Sequence, residues 1–306
     1  MRKTQIPGLL IVYAIAFFVL MSGCSPSGKE IEQKYISETS KFINIDGLNV
    51  HYRDEGQGPV LLCLHGIQSS LHTWDGWVKE MKNDYRIIRL DLPGWGFTGA
   101  SNFGYQPDDT IEFLKKFVDA LHVQKMNIAG NSYGGFLAWN FVVKHPDRVD
   151  KLIVIDGGGY PFEPPLAVRL MTAPVVKNLY PLVTPRFVVA KFVGDVYGEN
   201  SRIPEDTIDR YYDLMMYKDN RKESVKFFET MKGKMNKESP DIKTIKIPTL
   251  ILWGRQDKWI PISLMHRFKS DIPHARTIAY DEAGHIPMEQ IPEITARDAA
   301  LFLKGK

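Results

Sequence analysis

Ser132 sits in Gly130-Asn131-Ser132-Tyr133-Gly134, a single hydroxyl among glycines directly after the short apolar run KMNIA. A G-x-S-x-G between a strand and a helix presents a serine oxygen on a strained turn outside the carboxyl end of a sheet. Glycines flank such a serine because a side chain would collide with neighbouring strands. A serine hydroxyl is a poor nucleophile near neutral pH, so it needs a base in hydrogen-bond reach and a third group holding that base in one tautomer. Of the eight histidines, His285 stands apart in DEAGHIPMEQ, a loop between the last expected strand and the last expected helix. In an open α/β sheet, that end of the strands carries catalytic side chains. His51, His72, His122, His145, His266 and His274 fall within or at the borders of expected strands and helices, and His65 closes the strand in LHG, where it shapes a turn.

The acid should follow a strand between the serine and the histidine. Asp257 in WGRQDKWIP does so, three residues past Gly254, and gives the chain order Ser132, Asp257, His285. Asp156, ending KLIVID, is the rival acid, with the alternative task of holding the loop that follows it. Asp91 in RLDLPGWGFTG is expected to tie down its Gly-rich loop. Acyl transfer also develops an oxyanion, which backbone N–H groups must meet. By position, Tyr133 after the serine and Ile67 after the strand LLCLHG supply them.

Placing these groups needs a sheet with helices on both faces. KFINID and LNVHYRDEG alternate around Gly47 as an antiparallel pair, whereas VLLCLHG and RIIRLDLPG are continuous apolar runs of the kind found in strands buried on both faces. Helices are expected in SSLHTWDGWVKEMKN, over Asp108 to Leu121, and in GGFLAWNFVVK up to His145-Pro146. The rhythm breaks from Tyr160 to about Lys246, where six early prolines precede helix-like segments, and resumes at IPTLILWG, ARTIAY and EITARDAALFLKGK. The expected organisation is therefore a mostly parallel α/β core over residues 41–159 and 247–306, interrupted by a helical insertion over 160–246.

The N-terminus reads as a targeting segment. Arg2 and Lys3 precede an apolar stretch from Ile6 to Met21, and Met21-Ser22-Gly23-Cys24 then meets polar SPSGKE. The stretch falls short of the roughly 20 residues that span a bilayer. Residues 1–23 are read as a signal peptide, with an uncleaved signal anchor as the alternative, and residues 24–40 as a polar, irregular tether. The remaining cysteine, Cys63, lies in an apolar run and reads as a buried free thiol. Over all 306 residues, 39 basic and 36 acidic side chains are scattered without runs of one sign, so nucleic acid is not an expected partner. Nothing in the pattern calls for a metal or an organic cofactor.

HGIQSSLHTW, DLPGWGFTG, GNSYGGF, HPDRVDKLIVID, LILWGRQDKWIP and AGHIPMEQ resemble, in order, the motif blocks of the α/β-hydrolase fold superfamily. They are most similar to its cap-bearing branch of serine esterases and meta-cleavage-product hydrolases. The resemblance implies that the insertion is a cap over the active site and that an acyl-enzyme forms on Ser132. Ser132 replaces the aspartate of epoxide hydrolases and haloalkane dehalogenases. The loop HGIQSS and Ile286 depart from the carbon–carbon hydrolases, so a carboxylesterase or lipase-like activity on hydrophobic small-molecule esters is expected. Carbon–carbon cleavage and a non-catalytic binding module are the alternatives. The Ser-Gly-Cys24 run resembles the lipobox of bacterial lipoproteins, and Ser25 resembles those sent to the outer membrane. That implies an envelope protein held at a membrane by lipidated Cys24.

Overall fold

The computed structural model describes residues 26–199, 201–234 and 237–305. The apolar stretch at 6–21 and Cys24 lie outside them. Strands β1 (Lys41–Ile45), β2 (Leu48–Glu55), β3 (Val60–Leu64), β4 (Arg86–Leu90), β5 (Met126–Asn131), β6 (Val149–Ile155), β7 (Thr249–Gly254) and β8 (Arg276–Tyr280) form one sheet. The spatial order is β1-β2-β4-β3-β5-β6-β7-β8, and every pair from β4 to β8 is parallel. β1 and β2 form the expected hairpin, closed by Asp46 and Gly47 at φ 51° and 86°. Positive φ at both turn residues matches the twist of the flanking strands.

The apolar runs become central strands because helices cover both faces. β5 and β7 are buried along their whole length. Helix α1 (Gly28–Tyr35) precedes the sheet; α2 (Asp75–Met81), α3 (Pro107–Ala120) and α4 (Tyr133–Lys144) alternate with strands in the first half. The insertion after β6 holds α5 (Leu166–Met171), α6 (Pro174–Leu179), α7 (Arg186–Val196), α8 (Glu205–Met216) and α9 (Asn220–Met231). The prolines that break the strand rhythm are helix starts: Pro165, Pro174, Pro185 and Pro204 stand at the N-cap or first position of α5 to α8. Proline is suited there, since the first helical N–H has no intrahelical partner to lose. The chain ends with α10 (Ser263–Asp271), α11 (Pro287–Gln290) and α12 (Pro292–Leu303).

Residues 28–35 are not an irregular tether. Ser27 and Glu30 form a capping box, each side chain bonding the other's backbone N–H, and this starts α1. The helix then docks on the cap. Ile31 is only 1% exposed beside Phe97, Leu214 and Tyr217, Lys34 and Tyr35 both reach Asp213 at 2.9 and 2.8 Å, and Tyr217 donates to Glu32. The polarity that suggested a tether belongs to the outer face of an amphipathic helix. Replacing Ile31 with alanine removes its one fully buried apolar side chain and should cost α1 about 2–5 kcal/mol of local stability. Faster amide exchange and proteolysis before Ser40, with the sheet amides unaffected, check this.

Candidate active site

The sheet reverses direction of growth between β3 and β5, which are neighbours, and the crevice beyond their carboxyl ends is where α/β folds bind ligands. Ser132 follows β5 at φ 57°, ψ −117° and starts α4, so its backbone holds a conformation that costs energy for any non-glycine residue. A methyl group on Gly130 would lie 2.1 Å from the Gly134 carbonyl oxygen, and one on Gly134 the same distance from that of Leu64. These two glycines are what allow the turn to fold. The loop after β3 crosses directly over the serine: a Cβ on Gly66 would lie 3.5 Å from Ser132 Oγ. Ile67, next in that loop, lines one cavity with Ser132 and His285, and Tyr133 N opens α4 without an intrahelical partner. The loop is fixed by His65, whose Nδ1 meets Gly66 O at 2.7 Å while its Nε2 accepts from Leu92 N at 2.9 Å. Burial lowers the His65 pKa, so the ring stays neutral and can both donate and accept.

Asp257 Oδ2 lies 2.7 Å from His285 Nδ1, and its Oδ1 accepts from Trp259 N and Ile260 N at 2.6 and 3.0 Å. The ring therefore donates from Nδ1 to a carboxylate already oriented by two backbone N–H groups, which leaves Nε2 for the cavity that Ser132 lines. Trp259 stacks beside His285 with ring centroids 6.1 Å apart. His285 N donates to Val196 O at the end of α7, and Asn131 Nδ2 donates to His285 O at 2.8 Å. Gln290 accepts from Gly198 N and Gly284 N and donates to Glu282 O and Ser201 Oγ. The sheet, cap and α11 thus all grip the histidine loop. Asn131 and Gln290 escaped the sequence reading as positioning residues; for Asn131 the signal was its place beside the serine, and for Gln290 there was none. Asp91 ties its loop as expected, accepting from Leu71 N and Phe97 N at 2.8 Å and pairing with His51 Nδ1 at 2.7 Å.

Asp257, not Asp156, meets the imidazole. Asp156 lies behind it, fully buried at φ 45°, with Oδ1 accepting from Gly254 N at 2.9 Å and Oδ2 facing no donor. Burial, reinforced by the Asp257 charge, drives its pKa well above the usual carboxylate range. The shift favours the protonated carboxyl, and a proton on Oδ2 has Asp257 as its acceptor. One ligand atom from each of Asp156, Asp257 and His285 falls within 4.8 Å of the others, so these three are the side chains here that could hold a metal. The His285 and Asp257 atoms are already committed to each other, and the arrangement reads as a hydrogen-bonded relay.

Ser132 stands between two narrow cavities. One is walled by Phe192, Val196, Tyr211, Trp259 and Ile286 and has no lysine or arginine. The other passes Phe136, Phe162 and Met231 toward Lys234 and Lys237. A larger space of about 350 Å³ lies within the cap, lined among others by Met171, Phe187 and Val188, and shares only Phe192 and Trp259 with the first cavity. Their rings meet edge to face at 5.1 Å and partition the two spaces. Arg210, on the cap side of the site, is bound by Glu289, which also accepts from Tyr211 and Thr73 at 2.8 and 2.6 Å. Burial opposes the Arg210 charge, but Glu289 more than offsets it, so the guanidinium stays charged and neutralised in place.

The raised pKa of Asp156 gives a sign that can be measured. A group whose folded pKa is raised contributes stability at low pH and loses it as pH rises from its unfolded value, about 4, through the folded one. Asp156→Asn keeps the oxygen facing Gly254 N and replaces the O–H with N–H. It should retain activity and stabilise the fold at about pH 8 relative to about pH 4, compared with the native protein. Asp156→Leu leaves Asp257 without that donor and should lower kcat about tenfold or more with KM unchanged. Denaturation at the two pH values and steady-state kinetics check both.

The sequence matches the alpha/beta hydrolase fold family over residues 59–291. It is 29% identical over 266 residues to a 2-hydroxy-6-oxononadienedioate/2-hydroxy-6-oxononatrienedioate hydrolase of Escherichia coli (strain K12 / DH10B), covering 81% of this chain and 89% of that one. Among solved structures, a bacterial membrane phospholipase A superposes with a TM-score of 0.75 at 25% identity, covering 99% of both chains. A meta-cleavage product hydrolase of Pseudomonas fluorescens IP01 does so with a TM-score of 0.76 at 23% identity, covering 87% of this chain and 97% of that one, a likeness of fold. With the serine turn at the sheet's reversal point and the histidine loop braced against the cap, the chain belongs to the α/β-hydrolase fold family and is a hydrolase of that fold.

Proposed function

We propose that the protein is a serine carboxylester hydrolase, lipase-like in its preference for hydrophobic acyl groups, held at the cell envelope by a lipid on Cys24. The carrying observation is the His285–Asp257 hydrogen bond, with the free Nε2 turned to a cavity that Ser132 shares and that no lysine or arginine lines. Ser132 Oγ attacks the ester carbonyl as Nε2 takes its proton, and the N–H groups of Ile67 and Tyr133 receive the oxyanion. The C–O bond to the alcohol breaks, His285 returns the proton to the departing oxygen, and water then repeats the sequence on the acyl-enzyme. No cofactor enters these steps. Asp156 acts through Asp257, as a neutral donor behind it.

The apolar walls support an ester with an aliphatic or bulky acyl group. Binding a dicarboxylate would require uncommitted cations, and Arg210 is already neutralised by Glu289. Envelope attachment is supported by the lipobox-like run ending at Cys24, and an outer-membrane destination by Ser25. Among the described residues, no helix is long and apolar enough to cross a membrane. A second reading, carbon–carbon bond hydrolysis, is favoured by the Escherichia coli relative and by Lys234 and Lys237, which could meet a carboxylate at the second cavity.

Ser132→Ala should lower turnover of p-nitrophenyl esters by about 10⁴-fold or more with an unchanged melting temperature. A fluorophosphonate probe should label the native protein and not this variant. Retained turnover in the variant overturns the assignment, absence of labelling points to a binding module, and faster cleavage of a ring-cleavage dienoate than of any ester in a graded panel selects the second reading.

A further inference from the structure

We propose that helices α5 to α7 of the cap form a bilayer-docking face through which one acyl chain of a membrane lipid enters the cap cavity and reaches Ser132. This rests on the reading of the protein as a membrane-held serine esterase. Nine large apolar side chains are markedly exposed among the described residues, and seven of them lie between Leu166 and Val188. Leu166, Val175, Leu182 and Phe187 are 65, 75, 73 and 57% exposed. Scattered surface hydrophobes are ordinary, but seven gathered on three successive cap helices and their connections mark a surface that is covered in use.

The cavity within the cap continues this patch inward. Leu170, Phe187 and Val188 are exposed and also line the space of about 350 Å³, which falls in the usual size range of ligand pockets, roughly 300–1,000 Å³. At its inner end Phe192 and Trp259 separate it from the cavity of Ser132 and His285. A path lined by apolar groups therefore runs from the surface to within one pair of rings of the nucleophile. An aliphatic chain is the ligand whose chemistry it fits.

The bilayer is favoured as the occupant by where the chain leaves the described structure. The apolar stretch at 6–21 and Cys24 come just before α1, and α1 is fastened to α8 through Asp213, Leu214 and Tyr217. Helix α8 in turn packs along α7, joined by Arg186 to Asp209 at 2.8 Å. Whatever holds the N-terminus at a membrane also holds the cap there. From Pro164 to Gly194 the sequence has four basic residues and no acidic one. Arg169, Lys177, Arg186 and Lys191 pair with carboxylates from outside that stretch, so the face meets a lipid surface without unpaired negative charge of its own.

All six native tryptophans are buried, so a seventh placed in the patch reports on its surroundings. In the full chain reconstituted into phosphatidylethanolamine and phosphatidylglycerol vesicles, brominated lipids should quench Val175→Trp at least about twofold more than Leu301→Trp on α12. Equal quenching overturns the proposal, and blue-shifted but unquenched emission overturns it in favour of a second copy or the chain's own apolar segment on the patch. Val175→Asp combined with Leu182→Asp should lower hydrolysis of a vesicle-embedded diacyl ester about tenfold and leave p-nitrophenyl acetate within about twofold. Equal loss on both substrates, or no loss on the vesicle ester, also overturns it. If the native protein cleaves neither ester and Ser132 resists the fluorophosphonate, the esterase reading fails, while the quenching still decides whether the cap docks.

Discussion

The site depends on keeping one imidazole in one orientation. His285 sits on a loop, and loops are the least rigid parts of a fold, so its position must be set by contacts from several directions. Asp257 fixes the ring through Nδ1, Asn131 and Val196 hold the backbone on either side of the residue, and Gln290 bonds four partners around it. A Cβ on Gly284 would lie 2.6 Å from atoms of Val196, Tyr197 and Gly198, which shows how tightly the cap is seated against this loop. The cap thus helps to position the candidate site as well as covering its pocket.

Behind the imidazole stand two carboxyl groups in a dry environment, and both cannot ionise there at modest cost. The conflict is resolved by division of labour. Asp257 accepts three hydrogen bonds, including those from two backbone N–H groups, whereas Asp156 accepts one and has its pKa driven up by burial and by the Asp257 charge. A neutral acid in that place gives the anion a further donor without adding a charge. A similar economy governs Arg210 and Glu289, whose mutual neutralisation lets a guanidinium sit beside an apolar pocket.

The helix at the N-terminus links these local devices to the way the molecule would sit at a membrane. α1 buries a single isoleucine and exchanges hydrogen bonds with α8, while α8 lies along α7, the helix that ends against His285. The N-terminal helix, the cap and the Ser132 cavity are therefore connected through packed elements. Phe192 and Trp259, the rings that close the cap cavity from the serine, belong to the same set of contacts, because Trp259 also stacks beside the histidine.

The order of strands and helices was legible in the chain because burial on both faces leaves continuous apolar runs, and the strained serine turn was legible because only glycine fits around it. Ser132, Asp257 and His285 could be named from their positions after strands, since in this topology the ends of β5, β7 and β8 converge. The start of α1 was legible too, in Ser27 and Glu30, but its polar outer face concealed it, and α10 passed unrecognised as a short amphipathic segment. The legible features were therefore the periodicity and the backbone exceptions, which are local. Which carboxyl has its pKa driven up, which arginine is neutralised, which prolines begin cap helices and where the exposed apolar side chains gather follow from tertiary contacts alone. Charge state and exposure depend on neighbours far apart along the chain, such as Arg210 and Glu289 or Asp156 and Asp257, and no local pattern encodes such a pairing.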